Sequence, residues 1–305
     1  MACWLGVQHS FAKAQRSLAE VAGWELDDNT IRRLCHATAA QATATRAERA
    51  TAETFAAASG DRELQIDAGK VNTLGGWRDV KVAAFARRPR GEPTTAAAWD
   101  ERDLPPPRVR SVVAAVEPAA DFGQRCAAEA ARLGLSDPGQ LSVLGDGAEW
   151  VWNLAQRHFL GADETLDIWH GAEHLSAGAK AALGEGESAK EQGRRGRQRL
   201  LEDGYWGVTQ WVGELAGQVP AGGDGAALGG VLNYFCAHQG RLNYALRLRR
   251  GQSIGSGLVE GSIKQLLNLR LKQTGARWKV EHVGPFVELG AMAAGPEWQA
   301  FWERN

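Results

Sequence analysis

Apolar positions recur along this chain with two different periods, and the period changes near residue 60. In SFAKAQRSLAEVAGW, Phe11, Ala14, Leu18 and Val21 fall at helical spacing, and Gly23 predicts the end of that helix. Asp27, Asp28, Asn29 and Thr30 offer N-caps for a second helix, IRRLCHATAAQATATRAERATAETFAAA. Its alanine-rich tail reads as an exposed arm leading to Gly60, and the pair reads as a plain helical hairpin rather than a helix-turn-helix. From ELQIDAGKVNT onward the period is two, through Leu64 and Ile66, with Asp67 at the strand's centre. Leu74-Gly75-Gly76 predicts a turn, and WRDVKVAAFARR alternates again through Val80, Val82 and Ala84. A proline-rich loop over 89–107 precedes a third strand, RVRSVVAAVEP. DFGQRCAAEAARLGL then reads as a helix with Phe122, Cys126, Ala130 and Leu133 on one face.

The stretch 141–175 places acidic residues where apolar runs stop. Leu141, Val143 and Leu144 end at Asp146-Gly147, which delivers a carboxylate to the C-terminal rim of a sheet, where ligands of open α/β sheets sit. AEWVWNLAQRHF follows at helical spacing. The next short strand, ETLDIWH, closes with Asp167 and His170 three residues apart. Two carboxylates and an imidazole at one rim could hold a divalent metal ion.

The order β-β-β-α-β-α-β predicts an α/β fold with a mixed five-stranded sheet flanked by helices. Strand signals vanish between Gly171 and about Ser253, so that region reads as a helical insertion with a flexible loop near 222–230. Gly255-Ser256-Gly257 then precedes a helix with Glu260 in its first turn and Ile263, Leu266, Leu267 and Leu271 on its buried face. The expected organisation is an N-terminal helical segment (1–60), a core in two parts (61–170 and 255–305) and the insertion between them (171–254).

Composition changes this picture only in places. At 44% hydrophobic and 23% charged, with no long apolar run, the chain reads as a globular protein without a membrane span or signal peptide. Its four scattered cysteines make neither a zinc ribbon nor a disulfide framework, and suit a reducing cytoplasm. The net charge of −1 hides an uneven distribution. Nine basic residues fall between Arg241 and Lys279, namely Arg241, Arg247, Arg249, Arg250, Lys264, Arg270, Lys272, Arg277 and Lys279, which is the footprint expected of phosphate contacts.

Asp67 in LQIDAGKV, GGWRDVKVAAFAR, Asp146 in VLGDGAEWVW, LDIWHGAEHL and GSGLVEGSIKQLLNLRLKQTGARW together resemble bacterial insertion-sequence transposases of the Kra family. These are relatives of the Mutator-like transposases. The resemblance covers most of residues 60 to 290. It implies a ribonuclease-H-like core with Asp67, Asp146 and Glu260 as the catalytic and metal-binding triad, supported by Asp167 and His170. It also implies two Mg²⁺ or Mn²⁺ ions, DNA partners (element ends and target) and a homodimer when assembled on DNA, in the bacterial cytoplasm at the nucleoid. Lys264, Arg270, Lys272, Arg277 and Trp278 are the expected DNA contacts. The family has Asp-Gly where this chain has Asp67-Ala68, and Glu where it has Asp79. Family members begin with a longer N-terminal region, so the chain is expected to be truncated.

The chemistry points the same way. Phosphodiester cleavage with two metal ions, roughly 3.5–4 Å apart, needs hard oxygen ligands converging from separate elements. Asp67 is the expected bridging ligand, with Asp146 and Glu260 on either side. Other readings compete. Asp146-Gly147 could be a simple turn, and Glu260 could serve the helix dipole. Asp167 and His170 are expected to brace the rim rather than bind metal. Trp206 and Trp211 read as packing, and no His–Asp pair is patterned to activate Ser256. His170-x-x-Glu173-His174 also fits a zinc-peptidase motif, an alternative zinc hydrolase. A third alternative is a catalytically inert DNA-binding remnant.

Overall fold

The computed structural model describes residues 1–46, 51–295 and 297–304. Within them lie thirteen α-helices and a sheet of five strands in the order β3-β2-β1-β4-β5. The N-terminal helices are α1 (Ala2–Gln8), α2 (Phe11–Ser17), α3 (Asp28–Ala44) and α4 (Thr51–Ala57). Helix α2 continues as a π-helical turn over Leu18–Ala22 and stops at Gly23, whose φ of 65° favours glycine. Asp27 caps α3 through the N–H groups of Asn29 and Thr30. Strands β1 (Asp61–Thr73) and β2 (Gly76–Arg88) form a long hairpin, and β3 (Val109–Ala115) pairs antiparallel with β2. Next come α5 (Ala119–Arg132), β4 (Leu141–Gly145), α6 (Glu149–His158) and β5 (Asp163–Leu166). β1, β4 and β5 run parallel, so the sheet is mixed.

The period of two divides each strand between two cores. Leu64, Ile66, Ala83, Phe85, Val113 and Val143 join α5, α6 and the insertion on one face. Val71, Val80, Val82, Ala84, Val112 and Ala114 join the N-terminal and C-terminal helices on the other. Each fully buried side chain such as Phe85 contributes about 1.5–3 kcal/mol of hydrophobic stabilisation. Both faces are covered, which suits the near-continuous apolar strands.

The alanine-rich tail is only in part the exposed arm that its composition suggests, with Ala40, Ala44, Ala56 and Ala57 exposed. Ala39 and Ala42 are buried, and Arg46 just beyond α3 pairs with Glu129 (2.8 Å) on α5 and Glu288 (2.7 Å). Alanine is small enough to let α3 lie close against its neighbours, so here it marks packing. Further along that tail, residues 47–50 lie outside the described residues, and α4 buries Phe55.

The insertion consists of α7 (Ile168–Leu183), α8 (Glu187–Ala216), α9 (Ala226–Ala237) and α10 (Tyr244–Arg249). Its apolar faces, including Leu175, Leu200, Trp211 and Phe235, join the first core. Helix α11 (Gly257–Ser262) continues as a π-helical turn, Ile263–Asn268, and α12 (Val280–Ala293) and α13 (Glu297–Arg304) end the described chain. All four cysteines are free thiols. No described helix is long and apolar enough to cross a membrane.

Candidate active site

Strand register places the acidic residues. Ile66, Gly145 and Leu166 form the last paired row across the three parallel strands. One residue further along each chain stands an aspartate: Asp67, Asp146 and Asp167. The backbone ladder carries on into this row, since Asp167 N–H donates to Gly145 O at 2.8 Å. Ile66 and Leu166 belong to the first core, so alternation turns the next row toward the opposite face, where α11 lies. Adjacent strands stand about 4.8 Å apart, which brings neighbouring carboxylates of such a row close enough to share ligands.

On β1 the same alternation makes a polar stripe of Glu63, Gln65 and Asp67. Glu63 is buried and paired with Arg88 at 3.0 Å. Gln65 Oε1 accepts from the backbone N–H groups of Leu258 (2.9 Å) and Val259 (3.2 Å), satisfying orphan donors at the start of α11. Asp67 is half-buried, and its Oδ1 accepts from Ala68 N–H at 2.6 Å. Its pKa is raised to about 6, first by burial. The negative charges of Asp146 and Glu260 add to the rise, while the Ala68 N–H and His170 oppose it. Asp67 therefore senses Asp146, Glu260 and His170 together, although they come from four separate elements of the chain.

Asp146 begins the turn after β4. Its Oδ1 accepts from Ala148 N–H at 3.0 Å. Gly147 follows with φ of 95°, and a Cβ there would meet Tyr234 Oη of α9 at 2.5 Å. Tyr234 Oη in turn donates to Asp146 O at 3.4 Å.

Asp167 is wholly buried, and its hydrogen-bonding capacity is used within the protein. Oδ1 accepts from Trp169 N–H (2.6 Å) and His170 N–H (3.0 Å), capping α7. Oδ2 accepts from the N–H of Ser256 and from its hydroxyl (2.8 Å). Asp167 thus ties the start of α7 to the start of α11. Ser256 Oγ also lies 2.8 Å from Glu260 Oε1, so Asp167, Ser256 and Glu260 form one chain of contacts.

Asp167, His170 and Glu260 each offer a donor atom within 4.8 Å of the others. With both Asp167 oxygens already accepting two hydrogen bonds each, His170 and Glu260 are the freer donors of the three. Asp67 and Asp146 stand outside this three-donor group, with Asp146, His170 and Glu260 acting on Asp67 as neighbouring charges. Hard oxygens and one nitrogen are donor chemistry that fits a divalent cation. His170 stands in the first turn of α7, not at the end of β5, because Asp167 already serves as that helix's N-cap.

Of the zinc-peptidase spacing, two residues meet and the third has another neighbour. His174 is drawn away by stacking on Tyr234, with ring centroids 3.6 Å apart, and His170 Nδ1 lies 3.7 Å from Glu173 Oε2. Among the described residues the three-donor group contains neither Glu173 nor His174.

The basic segment splits into two kinds of residue. Arg241 pairs with Glu164 (2.6 Å), and Arg247, 1% exposed, pairs with Asp163 (2.6 Å). Arg270 and Trp278 are also largely buried rather than standing out on the surface. Trp278 Nε1 donates to Leu271 O at 3.1 Å, and Arg270 packs on three aromatic rings. Lys264, Lys272 and Arg277 are exposed.

Sequence reasoning expected Asp167 to brace the rim, but missed Gln65 as the other support of α11 and Tyr234 as the insertion's contact to Asp146. Gln65 carried one signal, since it shares Asp67's face at a spacing of two. Tyr234 carried none. Compared with protein-family models and with curated proteins, the chain matches none of them.

Proposed function

We propose that this protein is a metal-dependent polynucleotidyl transferase of the DDE type, acting as a DNA transposase on a ribonuclease-H-like core. The observation that supports the reading is the aspartate row Asp67–Asp146 at the end of parallel strands, with Glu260 on a helix whose start is held by Gln65 of β1 and by Asp167. The strand order, with one antiparallel hairpin beside parallel strands, supports the finer fold assignment. The raised Asp67 pKa also supports it, because crowded carboxylates favour a cation between them.

Asp67, Asp146 and Glu260 would hold two Mg²⁺ or Mn²⁺ ions, which supply activation of the attacking hydroxyl and stabilisation of the leaving oxygen. Asp67 would be one of the residues holding the ions, with Asp146 and Glu260 as the charges nearest to it in effect. Asp167 and Ser256 orient Glu260, and His170 lies beside the carboxylates as an orienting or accessory donor. The substrates on this reading are element ends and target DNA, paired by a homodimer that forms on DNA.

The test is a strand-cleavage assay with Mg²⁺ or Mn²⁺ alongside thermal melting. Either ion should raise the wild-type melting temperature and raise that of Asp67→Asn or Asp146→Asn much less. Wild-type protein that neither melts higher with these ions nor cuts DNA would remove the reading. Stoichiometric zinc that disappears on changing His170 and His174 would favour a zinc hydrolase.

A further inference from the structure

A second site lies at the far end of β1. A pocket of about 560 Å³ opens between α3 and the segment joining the π-helical turn to α12. The segment is stitched to the β1–β2 hairpin, with Trp278 N–H donating to Asn72 O (3.1 Å) and Leu74 N–H to Trp278 O (2.9 Å). Six residues of strand separate Asp67 from Thr73, so the pocket stands about 20 Å from the carboxylate rim.

Its walls carry Arg32, His36, Arg270, Arg277, Lys279 and His282, and among the described residues no carboxylate lines it. Arg270 forms the inner wall and is 5% exposed. Its Nε donates to Gly6 O at 2.8 Å, while its guanidinium lies 4.7 Å from the Phe11 ring centroid, 5.1 Å from Trp278 and 4.9 Å from Phe286. Its Nη2 is buried without a hydrogen-bond partner among the described residues. His36 and His282 stack with centroids 4.1 Å apart. Burial first, then the positive charges of His282, Arg32, Arg270 and Lys279, push His36 down to about 4. Every charge acting on that ring is a cation.

A buried cation is ordinarily paired, because desolvation costs more than dispersion on aromatic rings returns. Here the described residues supply no such partner, while guanidinium, ammonium and imidazole side chains line one pocket. Guanidinium donors in a planar fork match the tetrahedral oxygens of a phosphate. We propose that this pocket holds a backbone phosphate of nucleic acid on the same strand that reaches the carboxylate rim. At about 3.4 Å per phosphate along a strand, the two sites are about six nucleotides apart. The inference deepens the transposase reading by giving the site a strand-holding pocket beyond the reacting bond.

The test follows the imidazole resonances of the full chain by NMR at constant ionic strength. One titration uses sodium phosphate and another a short DNA duplex, with His158 on α6 as the reference. His36 and His282 should shift in both titrations, and the His36 midpoint should rise as an anion balances the surrounding charge. Arg277→Gln with Lys279→Gln should weaken DNA binding about tenfold, equal to about 1.4 kcal/mol. These two are exposed and leave the fold intact, whereas Arg270→Gln is expected to destabilise it. Shifts with neither titrant overturn the anion site. Shifts with phosphate alone overturn the backbone assignment, and so does wild-type DNA affinity in the double variant. Asp67→Asn should abolish cleavage without changing the shifts. Shifts with DNA in a protein that never cleaves leave the pocket standing and sink the transposase reading instead.

Discussion

Gln65 and Leu258 are 193 residues apart in the chain, yet Gln65 Oε1 accepts the Leu258 N–H at 2.9 Å. The strand that carries Asp67 therefore also holds the helix that carries Glu260. A carboxylate on a six-residue helix would otherwise be poorly placed, since so short a helix has little stability of its own.

Replacing Gln65 with leucine leaves the Leu258 and Val259 N–H groups buried without an acceptor. Denaturant unfolding should show a loss of about 1–3 kcal/mol. Metal-dependent cleavage should fall further than stability explains, because Glu260 moves relative to Asp67. Normal cleavage in a folded Gln65→Leu protein would remove Gln65 from the positioning of Glu260.

Asp67 titrates between its ordinary value of 3.8 and about 6 in the folded chain. The folded state then binds a proton that the unfolded state has already released, so stability falls as pH rises through that window. In EDTA, wild-type melting temperature should decline from pH 4 to 6 and stay low above it. Asp67→Asn should lack the decline and be more stable above pH 6 by about 1–2 kcal/mol, after discounting for the site's partial exposure. Added Mg²⁺ should reverse the order of the two proteins.

Glu260→Gln keeps the shape of the side chain and removes its charge. Cleavage should be abolished while DNA binding stays equal or tightens, because a negative charge near the phosphates is gone. Cleavage at the normal rate with Mg²⁺ would exclude Glu260 from the chemistry.

Lys264, Lys272 and Arg277 are exposed, so their joint replacement by glutamine should weaken binding to all sequences alike. The slope of log affinity against log salt should flatten by about 0.9 for each phosphate that is no longer neutralised. Arg270→Gln should act differently and lower the melting temperature, because Gly6 O loses its donor and the space among the three rings is left unfilled.

Gly147→Ala sets a Cβ at 2.5 Å from Tyr234 Oη on a backbone with φ of 95°. The expected cost is about 1–3 kcal/mol, with Asp146 displaced and metal affinity reduced. An alanine variant with wild-type stability and metal response would show that the turn tolerates the shift.

The sequence by itself determined the strands, their order and the candidate carboxylates. Alternation over two residues and helical spacing are local, so β1 to β5, α5 and α6 were readable from which positions are apolar, while α7 begins within the run read as the end of β5. Asp67, Asp146 and Glu260 were legible because each interrupts an apolar pattern or follows a glycine turn. What only the tertiary structure decided is which charges face outward and which hold the fold. Arg241, Arg247 and Arg270 look like Lys272 and Arg277 in the sequence, yet the first three are turned inward by partners on β5, its flanking residues or the aromatic cage. The alanines of α3 all read as solvent-facing, while close helix packing buries Ala39 and Ala42 and leaves Ala37, Ala40 and Ala44 exposed. Gln65, Asp167 and Tyr234 likewise take their roles from groups tens to hundreds of residues away. A side chain's partner across a fold leaves no mark in its neighbours, because burial and pairing depend on the register of distant strands and helices rather than on local period.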